Sequence, residues 1–261
     1  MSDAMTEINW MSKVLSSPIM KTMAENLNAS ASETDISTTP LYNEVIRYLG
    51  NEGTVIDIGA GVGRFAIPLA QKGMNVIAIE PSEEMRGHLL GSMERNGILS
   101  KINVIPSPWP LDEDLHAEVA FSSFVIQFSH DPVKFIQAME KSATKRCILG
   151  VHVDQPLGFL KDVWNVFHPS ETPPAMLTFS ELYPMLLNMG IMADATIIEE
   201  QHPQRIMVKP DKMTEMLVDL LNIRNSPQDV NLLKEILKKQ QQESSERRLP
   251  RTAIISWNPE R

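Results

Sequence analysis

The chain is 261 residues long and 43% apolar, and its 24 Lys and Arg against 33 Asp and Glu give a formal net charge of −9. With about 150 residues to an average domain, this length fits one large domain, or a core with an added cap, that folds without disulfide or metal staples. Cys147 is the single cysteine, which excludes a disulfide framework and a cysteine-based zinc site, and the six histidines are scattered, so no metal is expected. The sequence contains no run of about 18 apolar residues and no leader pattern, so the expectation is a soluble, cytoplasmic chain away from membranes. Nucleic-acid binders draw affinity from neutralising phosphates, and an acidic chain without a basic stripe is not expected to be one.

Ile8, Met11, Val14 or Leu15, Ile19, Met23 and Leu27 recur at helical spacing, and a polar, turn-prone stretch follows from Ala29 to Thr39. Residues 1–38 therefore read as a helical segment set apart from the rest. Thr39 as N-cap and Pro40 at the first position then start a helix whose apolar stripe is Leu41, Val45, Ile46 and Leu49, closed by Gly50. From Thr54 to Val153, short β-branched runs alternate with amphipathic segments. The expected strands are Thr54–Ile58, Asn75–Ile79, Ile102–Ile105, Val119–Phe124 and Arg146–Val153; the expected helices lie near Val62–Lys72, Ser82–Asn96 and Pro132–Ser142. Such alternation predicts an α/β fold, a doubly wound and mostly parallel sheet with helices on both faces. Ligands in these sheets bind beyond the carboxyl ends of the strands, where strand order reverses. After a Pro-rich stretch the pattern gives a helix over Ser180–Met189 and a strand over Ala195–Glu200. A helical insertion at about 210–245 follows, and a last strand, Thr252–Trp257, returns to make seven. Residues 39–261 thus form the main domain.

The informative segment is Val55-Ile56-Asp57-Ile58-Gly59-Ala60-Gly61-Val62-Gly63-Arg64. A buried strand enters a glycine loop that opens a helix, so bare backbone and helix-start N–H groups face a ligand. Glu80 ends the next strand, 23 residues after Asp57, where a carboxylate can accept both hydrogen bonds of a ribose diol. The dinucleotide fingerprint needs Gly or Ala at position 64, and Arg64 stands there. An acid ending the strand repels a pyrophosphate but suits a ligand with a positive centre and an ammonium group, such as S-adenosylmethionine.

Asp57-Ile58-Gly59-Ala60-Gly61-Val62-Gly63 resembles the first motif of class I S-adenosylmethionine-dependent methyltransferases, and Glu80-Pro81-Ser82 with Met85 resembles the second. The resemblance covers about residues 40–155 and implies a Rossmann-like fold. It implies that Asp57 and the loop of Gly59, Ala60, Gly61 and Arg64 hold the methionine moiety, and that Glu80 takes the ribose. It further implies that Pro81 and Met85 pack on adenine and that Ser107, Pro108 and Trp109 fence its far edge. It also implies that Ser123 is a cofactor-binding residue, where the fourth strand of such enzymes lines the methyl-transfer site.

Methyl transfer is an in-line displacement, so holding the nucleophile collinear with the leaving sulfur is the protein's main contribution. A base is needed only for a protonated acceptor. Many small-molecule members of the family have two histidines where this chain has Gln127 and Phe128. The candidates for a catalytic group are then Gln127 and the histidines near the ends of the fourth and fifth strands, His130 and His152. A small-molecule acceptor is expected, with the N-terminal segment as a lid over the cofactor and a homodimer left open. The alternatives are a protein or RNA methyltransferase, a nucleotide-dependent oxidoreductase, which Arg64 disfavours, and a non-catalytic cofactor-binding scaffold.

Overall fold

The β-branched runs at Thr54, Asn75 and Ile102 are short because each must stop where a glycine or polar loop begins; each forms a strand, the first almost wholly buried and the last only partly covered. A computed structural model describes residues 17–33, 35–156, 158, 160–173, 175–199, 210–224, 226–243 and 249–260. In chain order the elements are α1 (Ser17–Glu33), α2 (Pro40–Arg47), β1 (Thr54–Ile58), α3 (Ala66–Gln71), β2 (Asn75–Ile79), α4 (Glu83–Arg95), β3 (Ile102–Ile105) and β4 (Ala117–Ser123). Then come α5 (Pro132–Ser142), β5 (Ala143–His152), α6 (Leu160–Phe167), α7 (Phe179–Asn188), β6 (Asp194–Glu199), α8 (Pro210–Leu220), α9 (Pro227–Glu243) and β7 (Arg251–Trp257). Side-chain caps start several helices: Thr39 Oγ1 accepts from the Tyr42 N–H, Ser82 Oγ from Met85 and Asp131 Oδ1 from Lys134.

The seven strands form one sheet in the order β3-β2-β1-β4-β5-β7-β6. β7 runs antiparallel to both of its neighbours, and the other pairings are parallel. Period-2 alternation divides the apolar residues between two faces. On one face Val55, Val76, Val119, Phe121 and Ile148 pack with Leu41 and Val45 of α2, Leu69 of α3 and Leu89 of α4. On the other, Ile56, Ala120, Cys147, Leu149 and Ile255 pack with Phe135, Ile136 and Met139 of α5 and Leu182 and Leu186 of α7. A third cluster joins Leu160, Val163 and Trp164 of α6 to Leu217 and Leu221 in and just after α8 and to Leu233 of α9, with Phe128 packed against it. The expected helical insertion before the last strand is therefore present.

The structure corrects three expectations. α1 continues through Ala29 to Glu33, where the sequence suggested a turn; residues 1–16 lie outside the described segments. α3 begins at Ala66 and not at Val62, because Gly61 and Gly63 take positive φ and hold the chain out of the helical region. α6 was absent from the sequence reading, hidden by the Pro-rich loop that follows it. The order of strands places the reversal between β1 and β4, and their carboxyl ends define the place to look for a ligand.

Candidate active site

At the end of β1 the chain folds across the tip of β2: the N–H groups of Gly59 and Ala60 both donate to Ile79 O, at 2.8 and 3.1 Å. Gly59 has φ +75°, and a Cβ there would lie 2.4 Å from Val125 Cγ2, so only glycine fits. Gly61 has φ +57°, but a Cβ on it would meet nothing within 4 Å. The bend is thus closed at its base and open above Gly61.

Two carboxylates flank this opening. Asp57 is 2% exposed; it accepts the N–H of Ala66, while its Oδ2 is buried without a partner. Burial, and secondly the neighbouring Glu80 charge, push its pKa up to about 8. Glu80 Oε2 accepts the Gly61 N–H at 2.8 Å and Oε1 accepts the Ser82 N–H at 2.8 Å. Burial also raises the Glu80 pKa, opposed by those two N–H bonds and by Arg86, whose guanidinium donates to Glu80 O and Pro81 O. Each Glu80 oxygen keeps a further lone pair, which is what a diol requires.

β4 supplies the opposite wall. Ser122 Oγ donates to Ile58 O at 3.2 Å, tying β4 to β1, and Ser123 Oγ is buried without a partner. Phe124 follows with φ +58°, its N–H donating to Gly150 O at 2.8 Å. Val125 then lies on Gly59, and a 3₁₀ turn over Ile126–Phe128 buries Gln127, whose Oε1 also has no partner. His152 ends β5 half-buried, its ring 4.4 Å from that of Phe124 at 32°. Burial lowers its pKa to about 4, opposed by Asp154, so the imidazole is neutral at pH 7. His130 is exposed in the loop before α5.

The remaining expected residues separate. Met85 is buried with Val62 and Ala24, with Met23 and Leu27 packed alongside, so α1 lies against the glycine bend and the start of α4. Pro81 and Pro108 are exposed, and Ser107 is half-buried after β3. Trp109 is tied to α5: its indole N–H donates to Phe135 O at 3.1 Å and its ring meets Phe135 edge-on. Arg64 lines a cavity of about 350 Å³ together with Asn28, Gln71 and Arg95, its guanidinium over the Phe65 ring at 5.5 Å. Gly59, Gly61 and Glu80 do not line that cavity. Neither the left-handed Phe124 nor Val125 on Gly59 has a signal in the sequence, because both depend on where β4 ends relative to β1.

Residues 33–156 match the family described as a methyltransferase domain. A 47-residue stretch is 45% identical to an uncharacterized methyltransferase of Staphylococcus carnosus (strain TM300), covering 17% of this chain and 23% of that relative's length. Among solved structures, magnesium protoporphyrin IX methyltransferase (ChlM) from Synechocystis PCC 6803 with bound S-adenosylhomocysteine superposes with a TM-score of 0.55 at 14% identity, over 90% of this chain and 84% of that one. The YcgJ protein from Bacillus subtilis gives 0.52 at 14% identity, over 84% and 97%. The cyclase SpnF gives 0.54 at 11% identity, over 84% and 80%. Residues 33–156 thus match a methyltransferase domain, and the chain shares the fold of these solved structures.

The Synechocystis structure holds S-adenosylhomocysteine, and the site at the glycine bend fits the corresponding donor, S-adenosylmethionine. A buried carboxylate with an unpartnered oxygen suits an ammonium or sulfonium. The space above Gly61 admits a ligand against backbone, and Glu80 presents free lone pairs beside it. Asp57, Gly59, Ala60 and Gly61 are the residues that would hold the methionine end, and Glu80 the ribose.

Proposed function

We propose that the chain transfers the methyl group of S-adenosylmethionine to a small-molecule acceptor seated between the carboxyl ends of β4 and β5 and the helical cluster of α6, α8 and α9. The observation that carries the donor half is the unpartnered Asp57 Oδ2 beneath the open glycine bend. Support for the acceptor half comes from Phe128, which runs from the end of β4 into the apolar cluster, and from the net charge of −9, which disfavours nucleic acid. S-adenosylmethionine supplies a methyl group already activated by its sulfonium. Asp57 and Glu80 fix that donor, Val125 closes the bend against Gly59, and the walls from β4 and β5 orient the nucleophile. Positioning of this kind is worth on the order of 7–11 kcal/mol. His152, with a pKa of about 4, is a weak base at neutral pH, so the acceptor brings its own lone pair and the protein aligns it. α1 serves as a lid, since Ala24, Met23 and Leu27 seal against Val62 and Met85.

Calorimetry with S-adenosylhomocysteine and with NAD tests the donor, and labelled methyl transfer into a cell extract split by molecular size tests the acceptor. Binding of S-adenosylhomocysteine and label in the small-molecule fraction is the expected result. Binding of NAD alone removes the donor assignment, and label confined to macromolecules removes the acceptor assignment.

A further inference from the structure

Phe124 adopts a left-handed backbone that a bulky side chain takes up only where its surroundings over-determine it, and such outliers concentrate at functional sites. Here the surroundings are plain. The Phe124 N–H is fixed on Gly150 O, the next residue lies on Gly59, and the ring leans on His152 at 4.4 Å, tilted by 32°. The turn therefore presents one aromatic pair at the ends of β4 and β5, one residue from the contact with the cofactor bend. Both residues are half-buried, and the His152 ring nitrogens make no hydrogen bond among the described residues. A buried-edge imidazole that is uncharged and unpaired offers both a donor and an acceptor to something planar lying beside it.

We propose that the Phe124–His152 pair is the platform for the methyl acceptor, and that the acceptor is a planar aromatic ring whose edge carries a nucleophilic oxygen or nitrogen lone pair, any proton on that atom passing to solvent after transfer. The proposal rests on the methyl-donor reading given above. The ring stacks against the aromatic pair, its edge group hydrogen-bonds His152, and Phe128 guides it under the helical cluster. Aliphatic acceptors would lack the stacking contribution, so the site selects for aromaticity.

The test uses the full chain saturated with S-adenosylhomocysteine and saturation-transfer NMR with matched probes, phenol against cyclohexanol and pyridine against piperidine. Aromatic probes should be retained and their saturated counterparts should not. His152→Leu and Phe124→Leu should each weaken phenol about three- to tenfold, the worth of one aromatic stack, while S-adenosylhomocysteine still binds. Should either variant fold poorly, the imidazole proton resonances of His152 in the unmodified protein should shift as phenol is added. Equal retention of cyclohexanol, a phenol signal that survives both substitutions, or an unmoved His152 resonance overturns the platform. Failure of S-adenosylhomocysteine to bind overturns the donor reading beneath it.

Discussion

Asp57 and Glu80 are two acids packed at one opening, and neither can shed its charge cost without help. With its pKa pushed up to about 8, Asp57 holds a proton through most of the neutral range until a cationic group arrives. Binding a ligand with an ammonium there favours the carboxylate, so affinity for S-adenosylhomocysteine should rise from pH 6 to about 8 and level off above it. Asp57→Asn should flatten that profile and weaken binding at pH 8 by about 1.5–3 kcal/mol, the value of a hydrogen bond to a charged group. Calorimetry across pH reads both effects; an unchanged profile in Asp57→Asn would remove Asp57 from the donor site. Gly59→Ala should lower the melting temperature and abolish S-adenosylhomocysteine binding, because the added carbon meets Val125 and the positive φ is strained. That Asp57, Gly59 and Glu80 meet at one opening was legible from sequence, because strand end, glycine spacing and the acid 23 residues on all constrain one another. Trp109 and Arg64 were not, because the direction of a side chain depends on partners such as Phe135 O, 26 residues away.

Helices and strands differ in how plainly they announce themselves. The strands were readable within a few residues because β-branched runs ended in loops have no other use, and Thr39 and Asp131 marked helix starts by their caps. α1 was readable as a helix but not in its reach through Ala29–Glu33, since a polar stretch can stay helical when its flank packs on α4. That packing has a consequence that can be measured. Deleting residues 1–38, or placing a charge in the seam with Ala24→Glu, should weaken S-adenosylhomocysteine binding at least about tenfold, since Ala24 is fully buried on Val62 and Met85. Full retention of affinity in both would remove α1 from the site. At the opposite end of β5, Arg146 donates to Asn258 Oδ1, Ser256 Oγ and Asp194 and lies over the Tyr48 ring at 4.8 Å, joining β5, β6 and β7 to the residue capping α2. Arg146→Met should destabilise by about 1–3 kcal/mol and not more, because the Asp194 side chain is 81% exposed and water can replace its partner. Denaturant unfolding measures the loss, and S-adenosylhomocysteine affinity should be unaffected.

On the scale of the molecule, the sheet separates two cores, and the third, helical cluster reaches the loop after β4 through Phe128. The same carboxylates that prepare the site tax the fold. Between the ordinary aspartate value of 3.8 and about 8, the folded chain retains a proton on Asp57 that the unfolded chain releases. Stability without ligand should therefore fall as pH rises through that window and be flat above it, a trend that Glu80, also raised, reinforces. Melting temperatures from pH 5 to 9, with and without S-adenosylhomocysteine, test this; the ligand should narrow the fall.

The place of β7 has a bearing on synthesis. Among the described residues β6 pairs with β7 alone, and β7 is the later of the two in the chain, so β6 must wait through α8 and α9 before that neighbour reaches it. A nascent chain on the ribosome therefore holds an unpaired edge on β5 and an orphan strand at the same time, and a single late insertion between them satisfies both. A stop codon just ahead of Arg251 would leave the nucleotide half of the sheet intact yet strip the far half of its keystone.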